Sequence, residues 1–325
     1  MIELMYLFSA EICGTAYFVR KRIACRSKCI KCQRGIEMHY VVGDVHGCMK
    51  ELMLLINKIQ QQDEDAVFFF LGDWIDKGPN VDEVKAWVVD NVTPDGRYRS
   101  LRGNHEQYAY FQYVDSKYRN PKIMDSFLEV VDDLMPYNLA VEVETVYGTK
   151  ITYRLCHAWH DFDENKTDVQ KHTINIYGRE IDTNESNEII VHGHTPTISG
   201  LYLQSKDAKE DRPGLICYRH NSINLDGGCV YFNKYPNFAC MLCAICLETL
   251  EEFYPYELED RIREGARLQA TNPDCVLSKL GGENASTKQR VEAIYGINIM
   301  RYMKPESKYR LEMLENIRER KREEV

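Results

Sequence analysis

The chain lacks any long apolar run. No stretch approaches the roughly 20 apolar residues that cross a bilayer, so no membrane span and no membrane partner are expected. An excess of positive charge is also missing. Lysine and arginine number 41 against 50 aspartates and glutamates, a net charge of -9. A general nucleic-acid binder carries a basic footprint; this balance argues against such a partner, though it leaves room for a local basic pocket. The first residues, MIELMYLFSAEIC, have a glutamate where an export signal wants positive charge, and their apolar run is short. The expected location is the cytoplasm. Cysteine is not scarce: there are 12. They are not spaced as a small disulfide scaffold, and Cys156, Cys217, Cys229 and Cys240 lie inside apolar, strand-like runs. Reduced, buried thiols are the simplest account.

What is present is an ordinary globular composition, 44% apolar and 28% charged over 325 residues. That length suits one large domain, or a domain with extensions. Residues 1–37 differ from the rest. They hold Cys13, Cys25, Cys29 and Cys32 and the basic run RKRIACRSKCIKCQR. The spacing can ligate zinc, but three clustered cysteines make an incomplete site. An adventitious segment is the simpler account, with Met38 as an alternative start. Residues 38–256 read as the main domain, and 257–325 as a charged, helix-prone extension whose charge run suits a solvated helix face.

Within the main domain HYVVG reads as a short buried strand. KELMLLINKIQ follows, with Leu52, Leu55, Ile56 and Ile59 at helical spacing. AVFFFLG is a second strand, VDEVKAWVVDNV a second helix with Val81, Val84 and Val88 on one face, and YRSLRG a third strand. This alternation predicts βαβ units and a largely parallel sheet, whose chemistry collects at the carboxyl ends of the strands. NLAVEVETVYGTKITYRLCHA alternates on both sides of a turn and predicts an antiparallel hairpin. Residues 106–136 and 160–186 read as helical or loop insertions. EIIVHGHTP, SINLDGGCVY and ACMLCAICLETLEEFY are further strands. The expected fold is α/β, with two mixed β-sheets packed face to face and flanked by helices.

The polar residues gather at strand ends. They are Asp44 and His46 in GDVHG, Asp73, Asp76 and Lys77 in GDWIDKGP, Asn104, His105 and Glu106 in RGNHE, His157 in CHAW, and His192 and His194 in VHGHTP. Mixed carboxylate and imidazole donors suit manganese, iron, zinc or cobalt better than magnesium alone. There are more donors than one ion needs, and Asp73 can bridge, so two metals are the economical reading.

GDVHG, GDWIDKGP, GNHE and HGHTP, in that order, resemble the signature of the calcineurin-like metallophosphoesterases. The nearer branch is the phosphoprotein phosphatases in their bacterial and phage form, and the resemblance covers about residues 39–255. It implies that Asp44 and His46 hold a first metal, that Asp73 bridges, and that Asn104, His157 and His194 hold a second. It implies His105 as general acid with Asp76 orienting its ring, and Lys77, Arg179 and Asn104 at the substrate phosphate. Manganese is the first choice of metal, with iron or zinc as alternatives. Two departures stand out. Lys77 replaces the usual arginine and loses the planar fork, and Trp159 stands where glycine is common.

The resemblance implies hydrolysis of phosphate monoesters by a two-metal-activated hydroxide, most readily of phosphoserine or phosphothreonine in proteins, with a small phosphoester as the other substrate type. A serine alkoxide is a poor leaving group, and a histidine paired with a carboxylate supplies its proton near neutral pH. The rival reading is a bis(5'-nucleosyl)-tetraphosphatase or another phosphodiesterase of the same fold. A nucleotide anhydride has a better leaving group and needs the His105–Asp76 pair less. A non-catalytic binding module is the alternative from another class, but an inactivated site normally loses ligands, and here all are present. Plainer roles stay open for two residues: His192 as a core histidine and Arg179 as a surface arginine. His39, His160, His172 and His220 read as structural, and Tyr137, Tyr147 and Tyr153 as sheet packing.

Overall fold

Val41 and its neighbours show how the layers form. The computed structural model describes residues 37–119, 125–158, 188–280, 282 and 285–323. In strand β1 (His39–Val42) the side chains alternate: Tyr40 and Val42 join one core cluster, Val41 another. Strand β2 (Val67–Phe70) does the same, with Phe68 and Phe70 on one side and Val67 and Phe69 on the other. A strand covered on both faces reads as a continuous apolar run rather than an alternating one. That is why VFFF and HYVV carry so little polarity.

The first face packs on helices. Helix α1 (Met49–Gln60) buries the expected Leu52, Leu55, Ile56 and Ile59, and α2 (Val81–Asn91) buries Val84 and Val88. Strand β3 (Tyr98–Ser100) leads into α3 (Asn104–Arg119), and α4 (Ser126–Leu134) follows, its first turn capped by Asp125 accepting from Phe127 N and Leu128 N. The second face packs on a second sheet. Strands β4 (Asn138–Glu144) and β5 (Lys150–Cys156) form the expected antiparallel hairpin. Strand β6 (Ile189–His192), the short α5 (Gly200–Leu203), β7 (Cys217–Arg219) and β8 (Ser222–Asn224) complete that region. Then β9 (Ala244–Cys246) and β10 (Glu252–Phe253) return to the first sheet. The sheet orders are β10-β9-β1-β2-β3 and β4-β5-β6-β8-β7. Tyr153, Leu155, Val191 and Ile223 of the second sheet share a core with Val41, Phe69 and Ile245 of the first. The fold is therefore two mixed sheets packed face to face with helices, as the patterning predicts.

Register places the site. Val42 lies opposite Phe70, and Phe70 opposite Ser100, all in parallel pairs. The loops after β1, β2 and β3 thus leave side by side. In the second sheet β5, β6 and β8 are parallel, with Leu155 opposite Val191 and His192 opposite Asn224. Their outgoing loops also share one end. After β10 come α6 (Leu258–Thr271), α7 (Thr287–Ile299) and α8 (Lys308–Glu323). Tyr309, Met313 and Ile317 of α8 are buried in the core beneath the second sheet. The amino-terminal cysteines Cys13, Cys25, Cys29 and Cys32 lie outside the described residues, as do Trp159, His160, His172 and Arg179. The described cysteines are free thiols, and Cys156, Cys217, Cys229 and Cys240 are buried. Among the described residues no helix is long and apolar enough to cross a membrane.

Candidate active site

Asp73 lies at the centre. Its Oδ2 is 3.3 Å from His46 Nε2 and 3.8 Å from His105 Nε2, while its Oδ1 is 3.3 Å from His157 Nε2. The two oxygens of one carboxylate thus face two separate groups of donors. One is His46, Asp73 and His105, the other Asp73, His157 and His194, and within each group the ligand atoms lie within 4.8 Å of one another. These side chains come from the chain just after β1, β2, β3, β5 and β6.

The imidazoles are held with lone pairs inward. His46 Nδ1 donates to Ile75 O at 2.9 Å, and His157 Nδ1 donates to Leu71 O at 3.0 Å. A carbonyl can only accept, so each neutral ring carries its proton on Nδ1 and turns a bare Nε2 to the site. Burial, and then the Lys77 charge, lowers His46 to about 3. Burial, and then His194, lowers His157 well below the ordinary value. Burial, followed by Lys77, lowers His194 to about 4. These rings are neutral at physiological pH, the form that binds metal.

The donor set fits cations. His157 Nε2 faces Asn104 Oδ1 at 3.0 Å as well as Asp73 Oδ1, and His194 Nδ1 closes the group at 3.2 Å from that nitrogen and 2.8 Å from Asn104 Oδ1. With His194 carrying its proton on Nε2, the lone pairs of these atoms converge on one point that a cation would satisfy. At the other group a positive charge is already drawn in: Lys77 Nζ is 2.8 Å from His46 Nε2. Asp44, expected as a ligand beside His46, belongs to neither group and is held on the His194 side. Its oxygens accept from His194 N at 3.2 and 3.0 Å. Gly193 permits this approach, because a Cβ there would lie 2.0 Å from Asp44 Oδ1.

His105 is arranged differently. Its Nδ1 is 2.6 Å from Asp76 Oδ2, and its backbone N donates to Asp73 Oδ1 at 3.1 Å. The pair is more exposed than the buried donors around it. Backbone strain marks the same loops. His46, Asp73, Asp76, Lys77 and His194 all have positive φ, from 45° to 71°. Non-glycine residues rarely adopt that region, and such outliers gather at functional sites.

Two acids beyond the expected ligands and catalytic pair emerge. Glu106 is fully buried. Its Oε2 accepts from Asp73 N and Gly103 N, and its Oε1 from Trp74 N and Ile75 N, at 2.8–3.3 Å. It fixes the turn that presents Asp73. Asp226 is buried after β8, accepts from Gly228 N at 2.9 Å and lies close enough to Asp44 for their charges to oppose each other. The acid of GNHE and the acid of LDGG were the available signals for these two. His192 is buried, burial lowers it to about 4, and it belongs to neither group of donors.

This geometry gives two groups of potential metal ligands that share Asp73, on a two-sheet scaffold. A model of the calcineurin-like phosphoesterase family matches residues 40–235, and the chain belongs to that family. The family is metal-dependent, and its members hydrolyse phosphoesters. The chain is 25% identical over 229 residues to the asymmetrical bis(5'-nucleosyl)-tetraphosphatase PrpE of Halalkalibacterium halodurans, a match covering 59% of this chain and 85% of that protein. It is 36% identical over 101 residues to a protein phosphatase 2A catalytic subunit of Dictyostelium discoideum, covering 29% of this chain and only 32% of that one. A solved metallophosphoesterase from Sphaerobacter thermophilus superposes with a TM-score of 0.40 at 13% identity, covering 79% of this chain and 99% of that one.

Proposed function

We propose that this protein hydrolyses phosphate monoesters with two divalent metals, manganese foremost, and that phosphoserine and phosphothreonine in proteins are its substrates. Asp44, His46 and Asp73 would hold one ion, and Asp73, Asn104, His157 and His194 the other. When bound, the ions supply charge neutralisation of the phosphate dianion and activation of water as the nucleophile. The protein's own groups do the rest. His105 gives the proton on Nε2 to the departing alkoxide. Asp76 accepts from Nδ1, which fixes the ring and stabilises its charged form. Lys77, Asn104 and Arg179 bind phosphate oxygens, the two cations offsetting charge that builds there. A cytoplasmic setting agrees with the free thiols among the described residues.

The observation that carries this reading is the 2.6 Å contact between His105 Nδ1 and Asp76 Oδ2. A carboxylate-held histidine is the device that an alkoxide leaving group requires. A second reading has its own support. The PrpE relative matches over most of its length, which favours a dinucleoside tetraphosphate as substrate.

The deciding experiment measures phosphate release by manganese-loaded protein from a phosphoserine peptide, and nucleotide products (AMP with ATP, or ADP) from diadenosine tetraphosphate, with Asp73→Asn alongside. Peptide turnover that vanishes in the variant supports the phosphatase. Turnover of the dinucleotide alone moves the protein to the second reading. No turnover of either, with metal bound, overturns both and leaves a binding site.

A further inference from the structure

A second set of potential metal ligands lies against the site, with Cys48 Sγ donating to His46 O at 3.8 Å. Cys48 directly precedes α1, and its side chain makes no capping hydrogen bond. Glu51 sits in the first turn of the same helix. Cys229 opens the 3-10 turn Cys229–Tyr231, just after Gly228, whose φ is 69°. Two Sγ atoms and a carboxylate oxygen from these residues lie within 4.8 Å of one another.

Both cysteines are only 5% exposed and belong to the apolar cluster that includes Val45 and Leu242. Buried thiols alone would be ordinary small hydrophobic filler. Filler does not account for a carboxylate facing them. The sulfurs touch, and that contact, followed by burial, pushes Cys229 up and keeps it a thiol until an ion displaces the proton. Glu51 is steadied for the role of ligand: Tyr256 Oη donates to its Oε1 at 3.2 Å. The Arg261 guanidinium, over the Tyr256 ring, is engaged by the carbonyls of Ala239 and Cys240 at 3.1 and 3.0 Å.

We propose that Cys48, Glu51 and Cys229 form a thiolate cation site, separate from the catalytic pair of metals, for zinc or a similarly soft divalent ion, with water as the fourth ligand. Two thiolates and one carboxylate suit tetrahedral zinc. Binding releases the two thiol protons to solvent. The donors tell the sites apart: the nitrogen and oxygen cradle also takes cobalt or zinc, but only the two sulfurs give a bound metal thiolate character. An ion here ties the loop after β1, which carries Asp44 and His46, to the loop after β8, which carries Asp226.

The test titrates reduced, manganese-filled protein with cobalt(II) and records absorbance. Cobalt at nitrogen and oxygen donors gives no thiolate charge-transfer band, so that band reports thiolate ligation alone. The expected result is a band that saturates at one thiolate-bound cobalt per chain, counted by its intensity apart from any cobalt that replaces manganese, and that zinc displaces. Cys48→Ser and Cys229→Ser each abolish it. Replacing Cys25, Cys29 and Cys32 together with serine leaves it unchanged. Glu51→Gln, at a partly exposed helix position, keeps the fold and weakens cobalt binding by about tenfold or more. That arm decides the matter if either serine variant fails to fold. Absence of the band, its survival in Cys229→Ser, its loss in the amino-terminal variant, or unchanged affinity in Glu51→Gln overturns the proposal.

Discussion

Asp76 makes two contributions that separate on substitution. On the proposed mechanism it would orient the His105 ring and would stabilise the charged imidazole before the proton is given up. Asp76→Asn keeps the hydrogen-bonding shape and loses the charge. On a phosphoserine peptide kcat should fall about 100-fold or more, the range for positioned acid catalysis. On an aryl phosphate, whose leaving group departs without a proton, the loss should be much smaller. Steady-state rates on the two substrates check this, and equal losses would remove His105 from the role of acid. Asp44 and Asp226 give a second expectation. Burial pushes Asp226 up to about 7, and burial followed by the Asp226 charge raises Asp44. Both acids have folded values above their unfolded ones, so the metal-free fold holds protons that the unfolded chain releases. Its stability therefore falls as pH rises through about 7. Metal binding must expel those protons. Metal affinity should rise with pH from about 6 to 8 and then level. Calorimetry in buffers of different ionisation enthalpy counts the protons; none released at pH 6 would contradict protonation of this pair. At this scale much of the site was legible. Acids and imidazoles at successive strand ends declare themselves, and the structure brings together Asp44, His46, Asp73, Asn104, His105, His157 and His194. Glu106 did not declare its task, because its partners are backbone N–H groups that no side-chain pattern encodes.

The elements turn those residues into a site by stopping early. β1, β2 and β3 end at Val42, Phe70 and Ser100, and after β1 and β2 the chain turns through conformations that cost energy. Glu106 is what holds the turn after β2. Its carboxylate collects four backbone donors from Asp73, Trp74, Ile75 and Gly103. Glu106→Gln puts an NH2 group against some of those donors. A buried donor left without an acceptor costs about 1–3 kcal/mol, so urea unfolding should show a loss of about 2–3 kcal/mol. Manganese affinity should fall with it, since Asp73 loses its support. Unchanged stability would mean that the turn holds itself. The strand patterns were readable, but their ends were not. SINLDGGCVY and ACMLCAICLE each contribute only three residues of strand. The remaining apolar residues are buried in irregular chain, where burial, not pairing, sets the composition.

For the whole molecule, the weight falls on the carboxyl-terminal helices. The sequence KYRLEMLENIRERKRE is mostly charged, and composition alone suggests a solvated helix. Tyr309, Met313 and Ile317 recur every four residues, however, and all three are buried against the second sheet, Ile317 at 3% exposure. A four-residue repeat on a helix is a single stripe, and the charges occupy the other faces. Thr149, in the turn of the β4–β5 hairpin, donates through Oγ1 to Ile317 O at 2.8 Å, so the helix also closes a buried polar group of that sheet. Nearer the site, Tyr302 accepts from Ala239 N and donates to Pro213 O, both at 2.7 Å, bridging the segments before β7 and β9. The catalytic motifs all fall within 38–256, yet the second sheet that presents His157 and His194 shares its core with α8. Ile317→Ala should cost about 2–5 kcal/mol by cavity formation, read from denaturant midpoints. Ile317 meets the sheet beside Thr149, where β5 begins, whereas His157 follows the end of that strand. The cavity therefore opens away from the ligands. Activity per folded molecule should be retained at low temperature and lost together with the second sheet on warming. Ile317→Ala protein that unfolds at the unsubstituted midpoint would show that the helix rests on the core without supporting it.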